Sequence, residues 1–206
     1  MDKKLLYDFH AGEIGSNRVM VAIHGWKGNR NSMRPLIKSI NINNMDWYLL
    51  EAPYPVDETD GGYSWSYEKS EGVWEEAEPR ELLQNFFDHL FVQYPSENIF
   101  VIGFSQGGLV CLDFALFLNR TLGGVFSIAG FLRHPKDKVP RCHPCQKEIP
   151  ILLAHGTDDD QVPVGASKNA HQQLKDQGAN VELLLYNGKH KIGIECLRKI
   201  KAIIQN

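Results

Sequence analysis

Apolar residues in this chain follow two alternating patterns: short continuous runs, and longer stretches where they recur every three or four positions. A continuous apolar run of four to eight residues is typical of a strand buried on both faces of a parallel sheet. The runs that predict such strands are Val19–His24, Trp47–Leu50, Ile99–Phe104, Gly124–Ile128, Ile151–His155 and Val181–Tyr186. Leu5–His10 predicts a further strand at an edge of the sheet.

In several of the stretches between these runs, apolar residues recur at the three- and four-residue spacing of a helix. In Glu78–Gln93 the large apolar residues form one wide stripe, which predicts an amphipathic helix. Further helices are predicted over Gln106–Leu118, Val164–Gln177 and Ile192–Gln205. Strands that alternate with helices indicate a mostly parallel sheet covered on both faces. With no repeat or linker in view, we expect residues 1–206 to form a single α/β domain.

Composition and charge narrow the class of protein. The chain has 206 residues, 43% of them hydrophobic, with a formal charge of -3, so neither nucleic acid nor an anionic membrane is an indicated partner. No apolar run is long enough to span a bilayer, and Asp8 interrupts the apolar stretch of the amino terminus too early for a secretory signal. Four scattered cysteines do not suggest a disulfide framework. These features predict a cytoplasmic protein with reduced thiols.

The pattern Gly103-Phe104-Ser105-Gln106-Gly107 lies between a predicted buried strand and a predicted helix. That is the context of a nucleophile elbow, a strained turn that lifts a serine hydroxyl off the sheet edge. Side chains at 103 or 107 are expected to collide with the flanking elements. The turn also aims the amide of Gln106 at a developing oxyanion. The alternative is an ordinary tight turn without chemistry.

A nucleophilic serine needs an imidazole base, and the imidazole needs a carboxylate to orient it. In this kind of fold the acid and then the histidine follow later strands. His190 is the histidine that follows the acid loop from the end of a strand, so it is the predicted base. Three consecutive aspartates, Asp158, Asp159 and Asp160, follow Ile151–His155, and spacing alone does not choose among them.

The stretches IGFSQGG (102–108), HGTDDDQVP (155–163) and GKH (188–190) resemble the phospholipase/carboxylesterase family, which includes the acyl-protein thioesterases. The resemblance covers nearly the whole chain and implies a single-domain α/β-hydrolase fold. It implies a catalytic triad of Ser105, Asp159 and His190, the acid being the residue four positions after the histidine of its motif. No metal or organic cofactor is implied.

The family's first His-Gly pattern supplies a second oxyanion amide, from the residue after the glycine. Here that residue is Trp26, although Lys27 stands where the family usually has its next glycine. The alternative is that Trp26 is a bulky residue packed over the rim of the pocket.

Two long segments are predicted to be irregular, Ala52–Trp74 and Gly130–Glu148. Trp65 in the first segment resembles the family's recurrent tryptophan and is a candidate substrate-binding residue; the alternative is a loop held down by its own aromatic side chains.

The second segment contains Cys142 and Cys145 in a CxxC pattern near His134 and His143. One such pair is a weak metal or redox signal, and free thiols are the preferred interpretation.

The predicted function is a serine hydrolase that cleaves carboxylic esters of small or acylated substrates through an acyl-enzyme. An acyl-thioesterase or lysophospholipase acting on longer chains is the alternative within enzymes. A non-catalytic ligand-binding module is the rival from another class, since fold alone does not establish function. A homodimer is compatible with the sequence.

Overall fold

A computed structural model of the chain describes residues 4–56, 61–132 and 142–205. In these ranges the strands are, in chain order, β1 (Leu6–His10), β2 (Arg18–Ile23), β3 (Met45–Glu51), β4 (Tyr54–Pro55), β5 (Tyr63–Ser64), β6 (Tyr67–Ser70), β7 (Val73–Glu75), β8 (Ile99–Phe104), β9 (Gly124–Ile128), β10 (Ile151–Gly156) and β11 (Val181–Tyr186). The helices are α1 (Arg30–Met33), α2 (Pro35–Ile40), α3 (Ala77–Gln93), α4 (Gln106–Asp113), α5 (Gly165–Asp176) and α6 (Ile194–Gln205).

Seven strands form the central sheet, in the order β1-β3-β2-β8-β9-β10-β11. β1 pairs antiparallel with β3, and the other pairs are parallel. Every predicted strand is present, with bounds that shift by at most two residues. β2 lies between β3 and β8, so Val21 pairs with Tyr48 on one side and with Val101 on the other. The prediction of a mostly parallel α/β sheet is confirmed.

Alternate residues of each central strand point to opposite faces, and each face has its own hydrophobic core. Val19, Val21 and Ile23 pack with α3, α4 and α5. Met20 and Ala22 pack on the other side with α1, α2 and α6. Because both faces are covered, the strands need apolar side chains in both directions, which is why they appear in the sequence as continuous apolar runs.

The helix predicted over Gln106–Leu118 is shorter in the structure. α4 ends at Asp113, where the next residue, Phe114, leaves helical geometry with φ -126 and ψ -58, and a 3-10 turn follows over Ala115–Phe117. The carbonyl oxygens of Leu116 and Leu118 accept hydrogen bonds from His143 N–H and Gln146 Nε2 instead of continuing a helix. Beyond Asp113 the chain therefore bonds to a distant segment, although its apolar composition alone predicts a continued helix.

Sequence analysis also missed local structure in two segments. Residues 30–40 form α1 and α2, and the first is started by a capping box between Asn29 and Ser32. The segment Ala52–Trp74, predicted to be irregular, contains the small hairpin β4–β5 and most of β6–β7. No helix of the described ranges is both long and apolar enough to cross a membrane.

Candidate active site

Ser105 occupies the turn between β8 and α4 at the carboxyl edge of the sheet. Its backbone has φ 55 and ψ -114, and residues other than glycine rarely adopt a positive φ. A Cβ built on Gly103 would lie 2.1 Å from the carbonyl oxygen of Gly107, and one on Gly107 would lie 2.1 Å from that of Ile23. The expected collision at both glycines is confirmed, and the turn holds Ser105 clear of the strands.

His190 and Asp159 lie next to Ser105 and form a hydrogen-bonded chain with it. The Nε2 atom of His190 is 3.0 Å from Ser105 Oγ, and its Nδ1 is 2.7 Å from Asp159 Oδ2. The Asp159 carboxylate is fully buried, and His190 is nearly so. A carboxylate accepts only, so Nδ1 carries a proton and Nε2 of the neutral ring faces the hydroxyl as an acceptor. The structure brings together the three residues proposed as nucleophile, base and acid.

Asp159 differs from its two neighbours in burial and in hydrogen bonding. Its Oδ1 accepts from the backbone N–H groups of Gln161 and Val162, each at 2.9 Å. Burial by itself raises the pKa of the Asp159 carboxyl, but the hydrogen bonds from His190 and from these two amides outweigh it, so the pKa lies below its ordinary value. Asp158 and Asp160 are exposed. Asp159 is therefore the aspartate of this loop that meets His190 in its charged form.

A second histidine also contacts Asp159. The buried ring of His155 places Nε2 3.2 Å from Asp159 Oδ2 and 2.9 Å from the carbonyl oxygen of Val162. Its Nδ1 lies 2.6 Å from Ser167 Oγ. Both neighbours of Nε2 are acceptors, so this nitrogen carries a proton. His155 thus holds Val162 by its carbonyl while the amide of Val162 holds Asp159.

Two backbone amides beside Ser105 are candidates for an oxyanion hole. Gln106 begins α4, and Trp26 belongs to a loop at Gly25–Gly28 that packs against the turn, since a Cβ on Gly25 would lie 3.2 Å from Ser105 Cβ. No acceptor among the described residues takes up the N–H of Trp26 or of Gln106. The first amides of a helix have no intrahelical partner, and they stabilise an anion.

The side chain of Trp26 points outward. It is 60% exposed, with Lys27 Nζ 4.9 Å from the ring centroid. Lys27 has φ 60, so the lysine adopts the left-handed conformation that favours glycine. Hydrogen bonds from Lys27 N–H to Tyr63 O and from Tyr63 N–H to Gly28 O hold it there. Although Lys27 stands where the family usually has a glycine, its backbone keeps the positive φ that a glycine would favour.

Trp65 is almost fully buried and borders a cavity that Leu83 and Leu109 also line. It is 2% exposed, and its indole Nε1 donates to the carbonyl oxygen of His24 at 3.0 Å. The side chain of Gln106 accepts from the Trp65 backbone N–H at 3.1 Å and donates to Ser64 Oγ at 2.9 Å. These hydrogen bonds join the segment around residue 65 to His24 and to the start of α4. The role of Trp65 as a substrate-binding residue stays a prediction.

The predicted irregular segment Gly130–Glu148 is described at residues 130–132 and 142–148, and the second range contains the CxxC pattern. The Cys142 thiol is buried, which raises its pKa to about 11, and the Cys145 thiol donates to Leu118 O at 3.5 Å. Sγ of Cys145 also lies 3.0 Å from His143 Nδ1. His134 falls outside the described residues. Among the residues that are described, no group of three or more histidines, cysteines or acids is arranged to hold a metal ion.

Two buried histidines that support the site, His24 and His155, have no role among the sequence-based predictions. Each ends a strand in front of a glycine. That same arrangement, His-Gly at the carboxyl end of a parallel strand, occurs at both places and was an available signal. It puts an imidazole under the loop that leaves the sheet edge on each side of Ser105.

The sequence is similar to those of proteins named as carboxylesterases and as an acyl-protein thioesterase. A "Probable carboxylesterase" of Oryza sativa is 36% identical over 113 residues, which cover 54% of this chain and 42% of that protein. "Carboxylesterase SOBER1" of Arabidopsis thaliana is 28% identical over 89% of this chain and 87% of its own length. "Acyl-protein thioesterase 1" of Gibberella zeae is 29% identical over 64% of this chain and 59% of its length.

Solved structures share the fold. The crystal structure of SOBER1 from Arabidopsis thaliana has a TM-score of 0.78 and 25% identity, covering 91% of this chain and 97% of that one. The structure of esterase PE8 has a TM-score of 0.83 and 23% identity, over 98% and 99% of the two chains. The model of the phospholipase/carboxylesterase family matches residues 15–206. By this match the chain, whose sheet has the α/β-hydrolase fold, belongs to the phospholipase/carboxylesterase family.

Proposed function

We propose that this protein is a serine hydrolase that cleaves carboxylic esters through an acyl-enzyme intermediate. The observation that carries the proposal is the chain Ser105–His190–Asp159, with contacts of 3.0 Å and 2.7 Å. A serine hydroxyl becomes a useful nucleophile when an oriented imidazole can take its proton. The relatives named carboxylesterase support the same reaction class.

The proposed cycle has two matching halves. His190 Nε2 takes the proton of Ser105 Oγ as that oxygen attacks the acyl carbonyl carbon, and the amides of Trp26 and Gln106 stabilise the oxyanion. His190 then gives its proton to the departing alkoxide, which leaves as the alcohol. Water repeats the sequence on the acyl-serine and releases the acid. Asp159 stays ionised throughout and stabilises the imidazolium.

A second candidate within the same chemistry is an acyl-thioesterase or a lysophospholipase acting on longer acyl chains. The relative named acyl-protein thioesterase supports the thioester version. The steps do not change, because a thiolate leaves in place of the alkoxide. Rates across nitrophenyl esters of increasing chain length, alongside acyl thioesters of the same lengths, separate the candidates.

The rival from another class is a ligand-binding module without turnover. Such a protein has no need of a histidine within hydrogen-bond distance of both a serine and a buried carboxylate, so the described geometry supports an enzyme. A single domain over residues 1–206, a cytoplasmic location and a homodimer stay predictions.

Labelling with a fluorophosphonate probe tests the proposal directly, because the probe reacts with activated serine. The native protein is expected to label, and Ser105→Ala is expected not to. Labelling of both proteins would place the reactive group elsewhere. A well-folded native protein that does not label would overturn the proposal in favour of the binding module.

A further inference from the structure

His24 lies at the end of β2, buried beneath the loop that carries Trp26, and has no role in the proton transfers proposed above. Its ring makes two hydrogen bonds with backbone groups. Nε2 lies 3.1 Å from the amide nitrogen of Ala52, and Nδ1 lies 2.7 Å from the carbonyl oxygen of Gly25.

These two partners determine which nitrogen of His24 carries the proton. A backbone amide can only donate, so Nε2 accepts and is unprotonated. A carbonyl oxygen can only accept, so Nδ1 donates its N–H to Gly25. Burial lowers the pKa of His24 to about 4, although the bond to Gly25 opposes that shift. The ring is therefore neutral, in one tautomer, at neutral pH.

The acceptor of that bond belongs to the peptide group that also contains the amide of Trp26. Gly25 O accepts a second hydrogen bond from Gly28 N–H at 2.9 Å, so two donors fix the orientation of the carbonyl. The described peptide bonds are all trans. In a trans peptide the N–H points opposite to the C=O. Fixing the carbonyl of Gly25 consequently fixes the direction of the Trp26 N–H.

The surroundings leave His24 little freedom. A Cβ on Gly28 would lie 2.9 Å both from Gly25 O and from His24 Nδ1, so a glycine is required where the loop closes over the ring. On the other side Trp65 Nε1 donates to the carbonyl of His24 at 3.0 Å, and the two rings are 5.4 Å apart. The ring is clamped between the loop above it and Ala52 beside it.

We infer that His24 is a positioning residue that holds the Gly25–Trp26 peptide with its N–H directed toward the oxyanion. The inference rests on the proposed function, since an oxyanion forms only if an acyl group is attacked. The two ring nitrogens then have separate roles. Nδ1 orients the Gly25–Trp26 peptide, and Nε2 holds the ring in place by accepting from the backbone N–H of Ala52.

Two substitutions separate these tasks. In His24→Asn the amide nitrogen is bonded to Cγ, as Nδ1 is, so the donor to Gly25 is retained while the acceptor for Ala52 is lost. In His24→Gln the side-chain amide is one carbon further from the backbone. Its oxygen can therefore accept from the Ala52 N–H in place of Nε2, but its nitrogen cannot donate to Gly25 O in place of Nδ1. Both keep the backbone carbonyl that Trp65 uses.

We expect His24→Gln to lose about 10²–10³-fold in kcat, the cost of one oxyanion donor, with KM nearly unchanged. His24→Asn is expected to retain kcat within about tenfold of the native value. Thermal unfolding of both variants checks that they are compared as folded proteins. Equal kcat values in the two variants, or a more active glutamine variant, would overturn the inference.

A spectroscopic measurement tests the hydrogen bond without any substitution. Nitrogen-15 NMR of the native protein distinguishes the two tautomers, and we expect His24 with a protonated Nδ1 and an unprotonated Nε2 between pH 6 and 8. The opposite tautomer would overturn the inference even if turnover is normal. A native protein without esterase turnover or fluorophosphonate labelling would instead overturn the proposed function, and the tautomer would still decide the hydrogen bond.

Discussion

Nε2 of His190 lies 3.0 Å from Oγ of Ser105, although 85 positions separate the two residues in the chain. The contact exists because β8 and β11 both end at the same edge of the sheet, where Ser105 and the loop containing His190 follow them. The ring of Phe104 packs against that of His190 with centroids 4.8 Å apart. The residue beside the nucleophile thus helps to place the base.

The strained backbone of Ser105 has a consequence for stability. Ser105→Ala and Ser105→Gly both remove the hydroxyl, so each is expected to lose at least about a thousand-fold in kcat. Glycine accepts φ 55 without steric cost, so the glycine variant should be more stable than the alanine variant by about 1 kcal/mol. Thermal and urea unfolding of the pair measures this difference, and equal stabilities would contradict the strain.

Asp159→Asn tests the choice among three consecutive aspartates. An amide donates to His190 Nδ1 in the wrong tautomer, so kcat should fall by roughly 10⁴-fold with the fold retained. Asp158→Asn and Asp160→Asn are matched controls on exposed carboxylates, and their kcat should stay within about threefold. A larger loss of kcat in either control variant than in Asp159→Asn would identify that aspartate as the acid of the triad.

Because the pKa of Asp159 is lowered in the folded protein, the free energy of unfolding should depend on pH. A carboxyl with a lower pKa in the folded than in the unfolded protein stabilises the fold above the unfolded pKa, about 3.9. That contribution is lost as pH falls through the lower, folded pKa. Urea unfolding of the native protein and of Asp159→Asn should therefore give free energies whose difference changes below about pH 4, with the native protein losing more. A difference that is constant from pH 7 to pH 3 would argue against a depressed pKa.

Gly107 and Gly165 form a matched pair of glycines in helices. Gly107→Ala places a methyl group 2.1 Å from the carbonyl oxygen of Ile23, so we expect a loss of at least about 3 kcal/mol in unfolding free energy or failure to fold. Gly165→Ala meets nothing within 4 Å and should be neutral or stabilising by about 0.5–1 kcal/mol. Equal effects in the two variants would show that the elbow tolerates a side chain.

The side chain of Gln106 should matter through the loop that it holds. Gln106→Met removes the acceptor of the buried Trp65 N–H and a donor to Ser64 Oγ, which should cost about 2 kcal/mol or more of unfolding free energy. Since the backbone amide of residue 106 is retained, kcat should fall less than in Ser105→Ala. Gln172→Met is the control, because that side chain bonds to Asp176 on an exposed helix face. A stable Gln106→Met protein would mean that the loop does not depend on this side chain.

Much of this molecule can be read from local patterns in the sequence. The bounds of β8, β9 and β11 were predicted residue for residue, because a strand buried on both faces is a continuous apolar run. Ser105 was identifiable because its turn needs glycine at 103 and 107 and because a strand and a helix flank it. The resemblance to the family then selected Asp159 from its register in the motif. Each of these inferences uses residues close together in the chain.

Other features depend on contacts between distant segments, which no local pattern contains. Beyond the end of α4 at Asp113, backbone carbonyls bond to the segment around residues 143–146. Trp65 is held by Gln106 and His24 from more than 40 positions away. The single tautomer of His24 depends on Ala52, 28 positions further along the chain. Hydrophobic periodicity determined which faces are buried. Strand order and long-range hydrogen bonds decided which polar groups meet at the edge of the sheet, because a buried polar group takes the partner that the packed chain brings to it.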